Sequence, residues 1–414
     1  MKSLRRKKLT AYGMALVAII LTIFVIRYPE AAFQASFSGL ELWATVVLPA
    51  LLPFFALTEI LMGLGVVHFM GVLLEPLMRP LFAVPGTGGF AMAMGLASGY
   101  PIGAKLTGRL RRENLCSQAE AERLVTISNT ASPLFVTGAV AVGMLGMPQL
   151  GIILLLAHYL SMIMVGFIMR FHGPKDERPP KNLRKENIFA RGLRELYRAR
   201  TADGRSFGQL LGDAVKDAFS SAFFVGGCIV IFSVLLRILS LMGVVDLLGT
   251  ILTFILRPLG FNESIIPALV SGTFEVTIGS RMASQAAASL IERITAISAI
   301  IAWGGLSVHA QVASMLYGTD VRLYPFMIAR GIHSILAVIT TLFLLGPGLP
   351  LVSRLLVVPT VTQDTSFALH PLSRLLTATG QACWFLLIPL GLILLALGLK
   401  GFSFVWFRVR MPRD

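Results

Sequence analysis

Charged residues are scarce in this sequence. Asp, Glu, Lys and Arg make up 14% of the 414 residues, whereas 55% are hydrophobic. A soluble protein usually carries about a quarter charged residues. Hydrocarbon tolerates few charges, because removing an ion from water is costly. The deficit excludes an ordinary soluble domain and predicts an all-α polytopic membrane protein whose surroundings are the lipid bilayer.

Cysteines and catalytic motifs are also few. The three cysteines lie far apart, so they predict neither a disulfide framework nor a CxxC metal or redox site. The sequence has no HExxH zinc motif and no Walker A loop. Ser98-Gly99 with His158 weakly resembles an intramembrane serine protease, but the same pair recurs as Ser271-Gly272, which favours a duplication. We predict no enzymatic activity, no cofactor and no metal.

The net charge of +15 comes from short basic clusters between apolar runs. Lys and Arg accumulate in cytoplasmic loops of membrane proteins, so this pattern predicts membrane topology and not nucleic-acid binding. The N-terminal cluster, the loop 171–217 and the C-terminal arginines then place both chain termini in the cytoplasm.

Apolar runs of about 20 residues are long enough to cross the hydrocarbon as helices. About eight full transmembrane helices are predicted, at 9–27, 41–63, 124–146, 149–170, 218–241, 294–316, 325–346 and 379–399. The segments 66–82 and 350–375 either cross the membrane or lie at its interface, and the sequence leaves both readings open.

Two further apolar stretches are rich in glycine and proline, which disfavour one continuous helix. They are the stretch between Arg79 and Lys105, which has no charged residue, and the stretch 262–279. We predict re-entrant hairpins, whose irregular backbone must be buried in protein or line a wet cavity.

An internal repeat is the strongest signal in the chain. Residues 59–81 align without gaps to 237–259, including Gly-Val-Val and Arg-Pro-Leu at the same register. By our prediction each copy holds three crossings, so the second copy enters from the opposite side. Inverted repeats are typical of secondary transporters, which bind substrate between the halves.

This repeat divides the chain into five parts. They are an N-terminal membrane helix with an interfacial segment (1–40), a first repeat (41–170), a basic cytoplasmic loop (171–217), a second repeat (218–346), and an interfacial segment with a C-terminal membrane helix (347–414).

The hairpins supply the first candidate substrate-binding residues. Their tips carry Ser98, Thr273 and Glu275, and their trailing ends carry Lys105 and Arg281. Broken helices direct free backbone N–H groups and a positive dipole end at an anion. The two basic residues either complete an anion clamp or are ordinary interfacial charges.

The second group of candidates follows each amphipathic stretch. Polar side chains occur there beside Pro133 or Gly304-Gly305, which weaken a helix: Asn129, Ser132, Ser307, His309 and Gln311. They either contact the ligand or bridge helices, as polar side chains commonly do in membranes. Since His309 stands beside this proposed site, proton coupling through it is a further hypothesis.

Glu59 and Arg237 occupy the same position in the two repeats, each inside an apolar run. Alone, each would cost about 2.5–3.5 kcal/mol or more at a helix centre. We predict an ion pair across the repeats that acts as a gate, with a structural pair or a snorkelling arginine as the alternative.

Three segments carry a family resemblance: Leu74 to Phe82, Ala97 to Lys105, and Phe33 to Glu59. They resemble the sporulation integral membrane proteins of spore-forming Firmicutes. The broader superfamily carries the Gate, or nucleoside-recognition, domain and is similar to concentrative nucleoside transporters and to the membrane part of ferrous-iron transporter B. The resemblance implies a duplicated unit with re-entrant hairpins.

The resemblance also implies a substrate and a place. A member of the family is implicated in moving dipicolinic acid, a small planar dianion, out of the mother cell. We therefore expect a transporter of a small organic anion in the outer forespore membrane. The alternatives are a nucleoside or other solute carrier of the same fold, and a sporulation membrane scaffold that transports nothing.

Overall fold

The computed structural model describes residues 2–174 and 187–348, and these parts of the chain are helical without strands. The first half contains eight helices: α1 (Lys2–Arg27), α2 (Pro29–Leu42), α3 (Leu48–Gly63), α4 (Val66–Phe82), α5 (Gly88–Ser98), α6 (Ile102–Arg112), α7 (Gln118–Ser128) and α8 (Leu150–Met169). Two π-helical segments, Trp43–Val47 and Phe135–Met144, complete it.

The second half repeats this order of elements. Its helices are α9 (Ile188–Asp203), α10 (Phe207–Leu241), α11 (Val244–Leu256), α12 (Ile266–Phe274), α13 (Val276–Gln285), α14 (Leu290–Trp303), α15 (Gly305–Met315) and α16 (Leu323–Leu345). Short 3-10 turns at Arg257–Leu259 and Glu263–Ile265 precede α12.

Five of the described helices are long and apolar enough to cross a membrane: Pro29–Gly63, Leu150–Met169, Phe207–Leu241, Leu290–Met315 and Leu323–Leu345. Shorter apolar helices accompany them, at Ala15–Arg27, Gly88–Ser98, Phe135–Met144 and Val244–Leu256. The predicted all-α polytopic membrane protein is confirmed. The predicted span 379–399, the segment 350–375 and the C-terminus lie outside the described residues.

Two long helices begin earlier than the sequence predicts. The first starts at Pro29 and not at 41, because proline is favourable in the first turn of a helix and no further proline follows before Pro49. The second starts at Phe207 and not at 218, where Ser206 and Gln209 form a capping box.

Repeat-equivalent helices pack against each other in antiparallel pairs. Gly39 lies against Ser233, and Gly63 lies against Leu210, so the helix Pro29–Gly63 runs opposite to α10. The Trp43 indole N–H ties this pair together by donating to the Ala222 carbonyl at 2.8 Å.

The last helix of each half forms a second antiparallel pair. Ala157 of α8 packs with Leu344 of α16, whereas Val165 and Met169 pack with Ala329. An inverted duplication requires antiparallel pairs of this kind, while the inversion of the complete halves stays a prediction.

The predicted ion pair between Glu59 and Arg237 is wrong. Within the described residues no ion pair joins them, and Arg237 is exposed. The charged groups that act on the Glu59 carboxyl are those of Asp217, Lys105 and Arg205. The antiparallel packing is the reason, because it puts equivalent positions at opposite ends of the helix pair.

The loop 171–217 is more ordered than predicted where the structure describes it. Helix α9 packs on α4, and Arg191 pairs with Glu75 of that helix. A helix lies where the sequence predicted only a basic connection.

Cysteine cross-linking tests the antiparallel register. A Cβ at residue 39 would lie 3.1 Å from the Ser233 Cβ, close to the separation of about 3.5–4.5 Å in disulfides. We expect Gly39→Cys with Ser233→Cys to form a disulfide on mild oxidation, detected by peptide mass spectrometry. The control, Glu59→Cys with Arg237→Cys, should stay reduced; the opposite pattern would refute the packing.

Candidate substrate pocket

Both halves contain a helix that is broken beside a hairpin. In the first half α7 ends at Ser128, and the backbone is non-helical from Asn129 to Ser132. In the second half α14 ends at Trp303, and Gly304 and Gly305 have φ angles of 84° and 75°. The predicted spans 124–146 and 294–316 are therefore interrupted, which exposes backbone polar groups inside the protein.

The hairpins α5–α6 and α12–α13 pack against these breaks without room for a side chain. At Gly99, whose φ is 77°, a Cβ would lie 3.0 Å from the Ser132 nitrogen. At Gly305 a Cβ would lie 2.9 Å from the Phe274 carbonyl oxygen and 3.0 Å from the Val276 nitrogen. Glycine is required at both contacts, because the conformation and the space each exclude other residues.

A pocket lies where the hairpins and the breaks converge. It is a small pocket that is partly open to the surroundings. Four predicted site residues line it: Ser98, Ser132, Glu275 and Gln311. Sequence reasoning missed the other polar lining residues, Tyr100, Cys228 and Thr277. Both halves contribute to the walls, as a site between repeats requires.

Glu275 also has a structural role. Its buried carboxylate accepts hydrogen bonds from the backbone N–H groups of Thr277 and Ile278, both at 2.8 Å. The N-terminus of α13 is thus capped by the protein's own anion. In the first hairpin Pro101 occupies the equivalent cap and gives no side-chain cap. The prediction of free N–H groups therefore fits the first hairpin, where no side chain caps α6, better than the second, where Glu275 caps α13.

Several predicted residues at the breaks are buried with unpartnered atoms. Both amide atoms of Asn129, the Ser307 hydroxyl and His309 Nε2 have no hydrogen-bond partner in the described chain. His309 Nδ1 bonds the Gly305 carbonyl at 2.7 Å, and its ring stacks on Trp303 at 4.4 Å. Buried polar groups are normally satisfied, so these atoms are suited to a ligand or water.

Six predicted residues lie outside the pocket lining: the buried Asn129, Ser307 and His309, and also Lys105, Thr273 and Arg281. Lys105 and Thr273 are exposed, and Arg281 is partly exposed. The Thr273 carbonyl accepts the Trp303 indole N–H at 3.0 Å, so this residue supports the break through its backbone.

Arg330 is the charged residue that sequence reasoning missed. It lies on α16 with 1% of its surface exposed. Its Nη2 donates to the Ile301 carbonyl at 3.5 Å, and its Nε and Nη1 have no partner among the described residues. A signal was present, because Arg330 is the one Lys, Arg, Asp or Glu in the predicted span 325–346.

Two histidines form a polar layer beside the first break. His158 Nε2 lies 2.6 Å from the Thr130 hydroxyl, and His333 Nε2 donates to the His158 carbonyl at 3.0 Å. Their rings are 4.8 Å apart. These contacts join the two histidines across the two halves.

The sequence model of the Gate family, described as nucleoside recognition, matches residues 44–148 and 222–364, more than half of the chain. The chain belongs to the Gate family. It is also similar to the sporulation integral membrane protein YlbJ of Bacillus subtilis (strain 168), with 44% identity over 345 residues that cover 82% of this chain and 84% of the relative. No solved structure matches it.

These comparisons confirm the resemblance to sporulation membrane proteins with Gate domains, and this Gate protein is a multi-pass integral membrane protein. Two separate matches to the family model agree with a duplicated chain. Within residues 2–174 and 187–348 no cluster of three His, Cys, Asp or Glu side chains could hold a metal ion.

An ion cluster joins the two halves of this Gate protein away from the pocket. Glu122, whose side chain is fully buried, accepts from Arg322 at 2.7 and 2.9 Å and contacts His172 at 2.7 Å. Burial raises the pKa of the Glu122 carboxyl, but these hydrogen bonds outweigh burial and hold the pKa below its usual value. Arg111 pairs with Asp320 beside it, at 2.7 and 2.9 Å.

Removing the Glu122 charge tests this cluster. We expect Glu122→Gln to lower the melting temperature of the purified protein by about 2–5 °C, because Arg322 loses its partner across the halves. The contribution should be present at neutral pH and disappear as pH falls through the lowered pKa. Glu113→Gln, which removes an exposed pair with Arg109, is the control and should change little. Equal effects of the two substitutions would contradict the idea that Glu122 and Arg322 stabilise the contact between the halves.

Proposed function

We propose that this Gate protein transports a small organic anion across the membrane, and that the anion is dipicolinate moving from the mother cell toward the forespore. The observation that carries the proposal is the pocket that both halves line where the broken helices meet, with unpartnered polar atoms at the breaks and a buried arginine on α16. The sporulation name of the similar YlbJ supports the biological setting.

Alternating access explains how such a pocket would carry a solute. Each hairpin packs against the helix that follows the break in the other half: α6 against α15, and α13 against the segment Phe135–Met144. A rocking motion of one half against the other changes both contacts together and exposes the pocket on opposite sides in turn.

The proposal includes the topology of the protein. The basic clusters favour cytoplasmic N- and C-termini, and the family resemblance favours the outer forespore membrane. The substrate then enters from the mother-cell cytoplasm.

A nucleoside carrier is the second candidate, because the matching family model is described as nucleoside recognition. Nucleosides are neutral and need no cation. The buried Arg330, which has no carboxylate partner among the described residues, favours an anion instead.

Flux in proteoliposomes separates these candidates. We expect the purified protein to move radiolabelled dipicolinate down its gradient, with uridine and adenosine moving far more slowly. Nucleoside flux without dipicolinate flux would favour the second candidate, and no flux of either would favour a scaffold.

A pocket-blocking variant tests whether flux passes through the pocket. Ser132 lines the pocket, so Ser132→Trp should reduce dipicolinate flux at least tenfold by occupying the space. Val142→Trp, on the exposed face of the following π-helical segment, is the matched control and should retain flux. Equal flux in both variants would exclude this pocket as the route.

Sporulating cells provide the biological test. Cells that lack the protein should synthesise dipicolinate in the mother cell but form spores with little of it. Spores with normal dipicolinate content would exclude it as the required carrier.

A further inference from the structure

We propose that Arg330 is the positive charge that binds a carboxylate of the transported anion and selects anionic substrates over neutral ones. The inference rests on the proposed function and deepens it by naming the residue that recognises charge. It replaces Lys105 and Arg281, the basic residues of the predicted clamp, as the main anion ligand.

The position of Arg330 is unusual for a structural arginine. It is nearly fully buried within the candidate membrane span Leu323–Leu345. Charged residues in such spans rarely persist without a partner or a functional role. Arg123 is a buried arginine of the same chain with which Arg330 can be compared.

Arg123 is also buried, but its guanidinium is well bonded. It donates to the carbonyls of His172, Ala83 and Pro174 at 2.9, 2.6 and 2.7 Å. Among the residues that the structure describes, Arg330 has one long hydrogen bond, to Ile301, and two nitrogens without a partner. The guanidinium of Arg330 therefore retains the capacity to bind a carboxylate in a fork geometry.

The surroundings of Arg330 neutralise only part of its charge. Ile301 lies near the C-terminus of α14, where the helix dipole is worth roughly half a negative charge. The guanidinium also lies 5.9 Å from the Phe326 ring centroid, which adds a weak cation–π attraction. Neither contact supplies a full negative charge, so the guanidinium keeps a positive charge that a ligand can neutralise.

Arg330 itself lies outside the pocket lining, and Tyr100 connects it to the pocket. Tyr100 lines the pocket and packs in the same apolar cluster as Val308 and Phe326, on whose ring Arg330 lies. The Tyr100 hydroxyl is buried without a partner among the described residues, and the charges of Arg330 and Glu275 both act on it. The phenol can thus donate to a carboxylate in the field of the guanidinium.

None of the titratable groups that the structure describes near Arg330 neutralises its charge. The charge of Arg330 acts on His158, His309 and His333, and protonation of any of these histidines would add positive charge. Glu275 is the acidic group that lines the pocket, and its carboxylate is engaged by the N-terminus of α13. An anionic substrate is the missing partner that fits this balance.

The experiment compares dipicolinate with its neutral diamide, pyridine-2,6-dicarboxamide, as substrates in proteoliposomes. In Arg330→Gln we expect KM for dipicolinate to rise about 10- to 100-fold, as loss of a charged hydrogen bond predicts. The preference for dipicolinate over the neutral diamide should shrink by a similar factor. Arg330→Lys retains charge without the planar fork, so it should keep the preference with a smaller rise in KM.

Arg237→Gln is the matched control, since it removes an exposed arginine from another membrane helix. It should leave KM and the preference unchanged. Tyr100→Phe removes only an unpartnered hydroxyl, so it should fold normally and raise KM for dipicolinate several-fold; it decides the question if Arg330→Gln does not fold.

The outcomes separate this inference from the proposed function. If the wild-type protein transports dipicolinate and Arg330→Gln has the same KM and the same preference, the role of Arg330 is overturned and the proposed transport function stands. The same holds if only Lys105→Ala with Arg281→Ala removes the preference. A wild-type protein that neither binds dipicolinate by calorimetry nor moves it would overturn both.

Discussion

Backbone N–H and C=O groups inside the membrane need hydrogen-bond partners within the protein, and the rest of this structure depends on that constraint. Two helices are broken in the protein interior, and their free N–H and C=O groups cannot face lipid. The breaks are tolerated because a hairpin packs directly on each one, with Gly99 against Ser132 and Gly305 against the turn at Glu275. The same contacts create the pocket, because they bring short helices and irregular backbone together between the halves.

The two halves share a backbone plan but differ in side-chain chemistry. Glu275 caps the second hairpin with an acid, whereas Pro101 stands at the first. A further difference lies in the N-terminal turns of α7 and α14. Glu292 forms the capping box of its own helix, but Glu122 reaches across to Arg322, and Glu120 takes the capping role. The two halves thus present a similar order of helices, but they differ in the buried acidic groups and in the contacts those groups make.

Much of the fold could be predicted because it follows from local sequence. Apolar runs located the helices α8 and α16 to within two residues, and dense glycine and proline located both hairpins. The breaks at Asn129 and Gly304 also followed from residues that weaken helices. The early start of the helix at Pro29 was missed, since its first residues include Glu30 and Gln34 and are too polar to be recognised as a span.

The sequence by itself determined the membrane class, the duplication, and the polar residues Ser98, Ser132, Glu275 and Gln311 that line the pocket. Only the tertiary structure decided which charges are buried. Glu59 and Arg237 lie apart because their helices are antiparallel, and Lys105 faces outward while Arg330 is enclosed. The physical reason is that the environment of a charge depends on which helices pack around it. That packing is set by contacts between the halves, more than 170 positions apart in the chain.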